Sequence, residues 1–366
     1  MDTKVLAAMH PYFINKFFNP SATYLPAKAV HQAVEAARSK IAAVLGARPA
    51  EVIFTAGGTE ANNLAVHGVM RHYPDKKVLT SSIEHESVLA PAHRYSCQEI
   101  PVLTDGLIDL TALERLIDDT TVLISIMFAN NEIGTIQPIR SVADIVRQVL
   151  ARRRQAGNNL PLYFHSDATQ AANYLDLHLS RLGVDLLTLN GGKIYGPKQS
   201  GLLWVRSGLP LEPLIDGGGQ ERNLRSGTEN VPGIVGFSLA LEVAQTKRSR
   251  ESERLQKLQQ LFYARLAEKI PRSVINGSRT KRLPNNVHLT VPGQDNERLL
   301  ISLDEAGILA AAGSACSASD QEPSHVLRAL GLTDHDARSS LRFTMGRATT
   351  ERDVQYTVDI LARLIA

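Results

Sequence analysis

Short apolar runs of strand length, VLTSSI, VLISIMFA, LPLYFHSDA, LLTLN and GLLWV, recur through the first two thirds of the chain, with helical patterns such as SVADIVRQVLARRR between several of them. Upstream, apolar residues recur at helical spacing from Ala27 to Leu45. The segment ARPAEVIFT then changes to a short β-branched run ending in the glycine-bearing turn TAGGTEANN, which opens another helix. Strands alternating with helices predict an α/β fold with a mainly parallel sheet covered on both faces. In such sheets ligands bind beyond the carboxyl ends of the strands. Here those ends carry Gly57, Gly58 and Thr59, then Glu84 and His85, then Asn130 and Asn131, then Asp167, then Asn190 to Lys193. Five polar strand ends are expected to meet in one cleft.

The run from Ser238 to Ile270 is the longest helical pattern and is rich in charge, which places a boundary near residue 240. Residues 5–240 are read as a large α/β domain and 241–366 as a smaller α+β domain, where SVINGS, NNVHLTV and LRFTMG supply strands. Residues 1–20 are expected to associate with the smaller domain. At 366 residues there is ample length for both. A net charge of +3 is too mild to argue for nucleic acid, and Arg152, Arg153 and Arg154 read as the solvated C-terminal end of a helix. No apolar stretch approaches a membrane span or a signal-peptide core. Two cysteines, Cys97 and Cys316, exclude a disulfide scaffold, and no Cys/His metal pattern is present. These features predict a cytoplasmic protein with no metal and no direct nucleic-acid or membrane contact.

Three residues carry chemistry when taken together. Lys193, in TLNGGKIYGPK, can form a Schiff base with an aldehyde cofactor, and Asp167, in FHSDATQAA, can keep a pyridinium nitrogen protonated. Cys316, in GSACSA, is a thiol in a segment of small residues, suited to carry a product away. The conjunction points to pyridoxal 5'-phosphate (PLP) and to sulfur. Taken singly, each has an ordinary alternative: a solvated lysine, a helix-capping aspartate, a small buried thiol. Gly58 and Thr59, at a turn that opens a helix, suit a phosphate. His85 is placed to stack on a planar ring or to shuttle a proton. Arg225 lies in the glycine-rich loop GGGQERNLRSGTEN, of the kind that serves an interface or a ligand.

The motifs TAGGTEANNLAVHG, SSIEHESVL, FANNEIGTIQPI, HSDATQAA, GGKIYGPK, GGGQERNLRSGTENVPGIVGF and GSACSASDQEPSHVLRALG occur in this order, and the chain resembles the NifS-like cysteine desulfurases from about Val5 to about Asp353. That group belongs to the fold-type I PLP enzymes, in the class V aminotransferase group. The resemblance implies a large domain with a mainly parallel seven-stranded sheet and conversion of L-cysteine to L-alanine. It also implies residue roles. Lys193 would hold the cofactor, His85 would stack on its ring and Asp167 would pair with the pyridine nitrogen. Gln170 would bond the phenolic oxygen, and Asn131 would orient cofactor and substrate. Gly58 and Thr59 would hold the phosphate, joined by Thr228 from the second subunit of a homodimer. Arg342 would take the substrate carboxylate by a bidentate fork. Cys316 would be the nucleophile on a mobile loop that becomes a persulfide; the site must either lower the thiol pKa or supply a base, and His85 is the candidate for handling that proton. His325, nine residues beyond it, matches the subgroup with the longer catalytic loop, which passes sulfur to acceptor proteins. Iron–sulfur cluster assembly, tRNA thiolation and DNA sulfur modification are the destinations this implies.

The chain departs from the family pattern at several points. Asn190 and Gly192 stand where relatives have Ser and His, Tyr24 stands where they often have His, and Asp2 to Met9 matches the segment that follows their first strand. Cofactor binding is therefore expected to be weaker or differently tuned, and the first strand is expected to be missing. Beyond DILARLIA there is no counterpart of the scaffold-docking tail, which leaves the acceptor open. Two alternatives remain on these residues. One is another PLP lyase or aminotransferase, such as a selenocysteine lyase, in which Cys316 is dispensable. The other is a non-catalytic subunit of the same fold.

Overall fold

Leu25–Leu45 is a 21-residue helix because Ala27, Val30, Val34, Ala37, Ile41 and Leu45 recur at three- and four-residue steps and are buried, and it stops where Gly46 turns left-handed at φ 67°. Its chain then enters the first strand of a sheet. The computed structural model describes residues 1–313 and 323–366. It divides into two units, Met1–Ile100 with Leu110–Phe128 and Pro138–Lys247, and Pro101–Asp109 with Ala129–Gln137 and Arg248–Ala366. Residues 1–20 group with the first unit. The division falls inside the 39-residue helix Val231–Lys269.

The first unit is built on seven strands: β1 (Val52–Thr55), β2 (Lys77–Ser81), β3 (Ser96–Ile100), β4 (Thr121–Ser125), β5 (Tyr163–Asp167), β6 (Leu186–Asn190) and β7 (Gly201–Val205). Their order is β1-β7-β6-β5-β4-β2-β3. The pairs from β6 to β3 are parallel, and β7 runs antiparallel to both of its neighbours. The expected mainly parallel seven-stranded sheet is therefore present. Central strands are buried along their whole length, which is why they read as unbroken apolar runs. The helix Gly58–His72 lays Ala61, Leu64 and Ala65 against Ile53, Val78, Leu123, Leu186 and Leu203 of five strands.

One basic expectation is corrected. The helix Ile139–Gln155 does end in Arg152, Arg153 and Arg154, but Arg153 is buried. Its guanidinium donates to four carbonyls, those of Leu160, Pro161, Asp118 and Thr121, at 2.6–3.2 Å. A planar fork with five donors can satisfy four carbonyls where solvent cannot reach them. The arginine ties the end of this helix to the entrances of β4 and β5.

The second unit has a three-stranded antiparallel sheet, with β9 (Asn286–Thr290) between β10 (Ser340–Thr344) and β8 (Val274–Ile275). These are the strands expected from NNVHLTV, LRFTMG and SVINGS. Its helices Asn296–Glu305 and Glu351–Leu364 pack on each other. The loop Ala129–Gln137 belongs to this unit and folds as a tight turn, closed by a bridge between Ala129 and Ile136. Among the described residues no helix is long and apolar enough to cross a membrane.

Candidate functional site

The sheet register aligns the polar strand ends of the first unit. Thr55 at the end of β1 and Asn190 at the end of β6 both pair with Gly201, the first residue of β7. Glycine is required at 201, because a Cβ there would lie 2.7 Å from Gly57 Cα. The chain can therefore turn directly from β1 into the helix that begins at Gly58, whose free amides open the same end of the sheet.

Around that helix start is a small polar cradle. A Cβ placed on Gly58 would fall 3.2 Å from Thr169 Oγ1 and 3.4 Å from Asn190 Nδ2. Thr169 Oγ1 is buried and has no hydrogen-bond partner among the described residues. A buried hydroxyl facing a bare glycine at a helix N-terminus is the donor set that an anionic group requires. Thr59 follows, exposed, in the first turn.

Asp167 ends β5 and is 8% exposed. Its Oδ2 accepts from Asn62 Nδ2 at 2.7 Å and its Oδ1 from the Thr169 amide at 2.8 Å. Asn62 Nδ2 also reaches Ser87 Oγ at 2.8 Å, and Ser87 Oγ lies 2.8 Å from His85 Nδ1. The Ser87 amide donates to the same Nδ1, so in the neutral ring the proton sits on Nε2. Asp167 and His85 are thus joined by two intermediaries that sequence reasoning missed. Asn62, Ser87 and Thr169 look like ordinary helix and turn residues. Their only signal is a polar residue on the apolar side of a helix, as Asn62 sits beside Ala61 and Ala65.

Two further titratable groups flank Asp167. His165, two residues earlier on β5, is wholly buried between Ser125 Oγ and Thr188 Oγ1. Burial pushes its pKa down to about 4, against the opposing pull of Asp167. Glu84 is also wholly buried, and its Oε1 accepts from Ser81 Oγ at 2.6 Å and from the Met127 amide at 2.7 Å. Burial raises its carboxyl to about 8, the two hydrogen bonds oppose this, and the charge of Asp167 adds to it.

The raised Glu84 pKa has a consequence for stability. Between its ordinary 4.5 and about 8, the folded chain keeps a proton that the unfolded chain releases, so this contribution is full below the lower value and lost as pH rises through the upper one. Glu84→Gln keeps the Oε1 acceptor and cannot ionise. Thermal melts should show the variant close to wild type at pH 5 and a few degrees above it at pH 8. A constant offset across that range would contradict the assignment.

Lys193 closes the short turn Gly191–Lys193, with its carbonyl held by Asn173 Nδ2 at 2.8 Å and its side chain exposed. Asn190 Oδ1 accepts from the Gly192 amide at 3.0 Å. A Cβ on Gly192 would meet nothing closer than 3.5 Å, so the turn does not require glycine there for lack of space. Gln170 lies half-buried in the turn after Asp167. Thr228 is exposed on a loop whose root is fixed by Glu221, which accepts from both arms of buried Arg38 and from the Phe54 amide. Arg225 of the same loop pairs with Glu60 at 2.9 Å.

In the second unit, Arg342 on β10 donates from Nη1 to the Asn131 carbonyl at 3.1 Å. The two residues expected to meet a substrate are therefore in direct contact. Cys316 lies outside the described residues.

Comparison with known proteins identifies the family. The sequence profile of the Aminotransferase class-V family matches residues 1–357. Cysteine desulfurase IscS of Dictyoglomus turgidum is 41% identical over 369 residues, 99% of this chain and 91% of that protein. A NifS-like protein of known structure superposes with a TM-score of 0.91 at 32% identity, covering 100% of this chain and 96% of its own. The structure of SspA in complex with cysteine gives 0.80 at 34% identity, over 94% of this chain and 95% of that one.

Proposed function

The chain belongs to the aminotransferase class-V family and is a PLP-dependent cysteine desulfurase, and from that premise we propose how its residues divide the work. The observation that carries the reading is the line Asp167–Asn62–Ser87–His85 beside the Gly58–Thr169–Asn190 cradle. It offers a buried carboxylate, an imidazole and an anion seat at one end of one sheet. These residues fit the cofactor. Gly58, Thr59 and Thr169 would receive its phosphate, with Asn190 beside them and Thr228 of a second copy completing the seat in a homodimer. Asp167 would hold the ring nitrogen and His85 its face, Gln170 would bond the phenolic oxygen, and Lys193 Nζ would retain the aldehyde.

Bound PLP supplies a sink for the electrons left on the substrate when its α-proton is removed. The chain's own residues do the rest. Arg342 grips the carboxylate of L-cysteine, and Asn131, fixed against Arg342, orients substrate and cofactor. Lys193 Nζ takes the α-proton. Cys316, as thiolate, attacks the substrate sulfur; the new S–S bond forms as the Cβ–S bond breaks, and the bonding pair stays with Cβ, which is then protonated. His85 handles the protons of this exchange. The sum is one enzyme thiol plus L-cysteine giving one enzyme persulfide plus L-alanine. An acceptor protein would remove the outer sulfur, in iron–sulfur cluster assembly, tRNA thiolation or DNA sulfur modification. A chain with two cysteines and no disulfide framework suits the reducing cytoplasm.

The test is alanine release from L-cysteine by the purified protein with PLP and a thiol reductant. Catalytic alanine formation is expected. A protein that takes up PLP and releases none would overturn the assignment of these residues.

A further inference from the structure

Glu132 is a carboxylate with 2% exposure that no role above uses. It sits in the tight turn after Ala129, where Asn130 Oδ1 accepts from the amides of Glu132 and Ile133 at 2.8 and 3.0 Å and Asn286 Nδ2 donates to the Glu132 carbonyl at 2.7 Å. The backbone at 132 is therefore fixed from both sides. Its side chain points to the two ends of the segment that contains Cys316. Ser324 Oγ donates to Glu132 Oε2 at 2.6 Å, and a Cβ on Gly313 would lie 3.5 Å from the same oxygen and 3.8 Å from Ser324 Cβ. On the Gly313 side, Ala311 exchanges backbone hydrogen bonds with Arg342 at 2.6 and 3.1 Å. On the other side of the turn, Asn131, the neighbour of Glu132, receives Arg342 Nη1.

We propose that Glu132 is a positioning residue for sulfur transfer: its bond to Ser324 ties the chain leaving Cys316 to the turn that carries Asn131 and braces Arg342. This rests on the reading of Cys316 as the sulfur acceptor. Both ends of the Cys316 segment are then referred to the residues that hold the substrate. Gly313 is anchored through Ala311 to the Arg342 backbone, and Ser324 through Glu132 to the Asn131 turn. A carboxylate suits the task because a hydroxyl donating to it makes a short, strong hydrogen bond, and burial keeps water from competing. A thiolate that must meet a sulfur atom is sensitive to misplacement of about 1 Å, which can cost up to roughly 100-fold in rate.

Ser324 has a second, purely structural task, since its Oγ also accepts from the Leu327 amide at 3.4 Å and caps the helix His325–Ala329. Three substitutions separate the two. Ser324→Thr keeps donor and cap. Ser324→Ala loses both. Ser324→Asp keeps the cap, for which aspartate is as good as serine, but faces Glu132 with a second carboxylate. In the holoenzyme the rate of alanine release from L-cysteine should stay within about twofold for Ser324→Thr, fall about 10-fold for Ser324→Ala and fall further for Ser324→Asp. The affinity for L-alanine, read from the visible absorption of the bound cofactor, should stay within about twofold in all three, because Arg342 and Asn131 are untouched. Added to Glu132→Ala, Ser324→Asp, which keeps the cap, should cause no further loss. Recovery by Ser324→Asp would show that only the cap matters and would overturn the proposal, as would additive losses in the double variant. Failure of the desulfurase reading itself would appear differently, as no alanine release from the unsubstituted enzyme.

Discussion

Lys193→Ala is expected to lower alanine release from L-cysteine by on the order of 10⁴-fold and to abolish the persistent visible absorption acquired with PLP. The side chain has two duties in this account, covalent retention of the cofactor and removal of the α-proton, and no neighbour can replace both. The other lysine of the motif, Lys198, starts five residues further along, beyond Tyr195 at φ 62°. The fold should survive the change. Lys193 is exposed, and the turn that carries it is held through backbone groups, by Asn173 on its carbonyl and Asn190 on the Gly192 amide. Absorbance titration with PLP, an alanine assay and a thermal melt check the three statements. Activity retained within about tenfold would remove Lys193 from the mechanism.

Asp167→Asn is expected to cost roughly 10²–10³-fold in the same assay, with the folded state preserved. The negative charge is what the ring nitrogen requires, and it is the feature the substitution removes. The carboxylate now accepts from Asn62 Nδ2 and from the Thr169 amide. An asparagine can satisfy one of these with Oδ1 but sets its own Nδ2 against the other, at a cost of about 1–3 kcal/mol. A modest fall in melting temperature should therefore accompany the large fall in rate. A rate loss no larger than the stability loss explains would mean that Asp167 serves only to hold Asn62 and Thr169.

Much of this was legible in the sequence, for physical reasons. Strands β1, β2, β4, β5, β6 and β7 are buried on both faces and leave apolar runs, whereas β3, SCQEI, is an edge strand with Ser96, Gln98 and Glu99 exposed, and carries no such signal. The reversed direction of β7 left no mark, because a strand buried along its length reads the same either way. Asp167, His85 and Lys193 stood out because they end strands or follow them. Asn62, Ser87 and Thr169 did not, since burial of a polar side chain by tertiary packing is invisible to local pattern. Arg153 misled for the same reason: a helix-end arginine is ordinarily solvated, and only packing brought four carbonyls to it. Glu132 and Ser324, 192 residues apart in sequence, could be paired only in three dimensions.

The central claim is that sulfur passes through one thiol of this chain, and the two cysteines provide an internal control. Cys97 is half-buried on β3, where burial pushes its thiol pKa up and disfavours the reactive thiolate. Peptide mass spectrometry after exposure of the PLP-loaded enzyme to L-cysteine, without reductant, tests the claim most directly. The account predicts one added sulfur atom on the Cys316 peptide, none on the Cys97 peptide, one alanine per sulfur gained, and neither product from Cys316→Ala. Alanine formed with no sulfur on Cys316, or formed equally by Cys316→Ala, would contradict it.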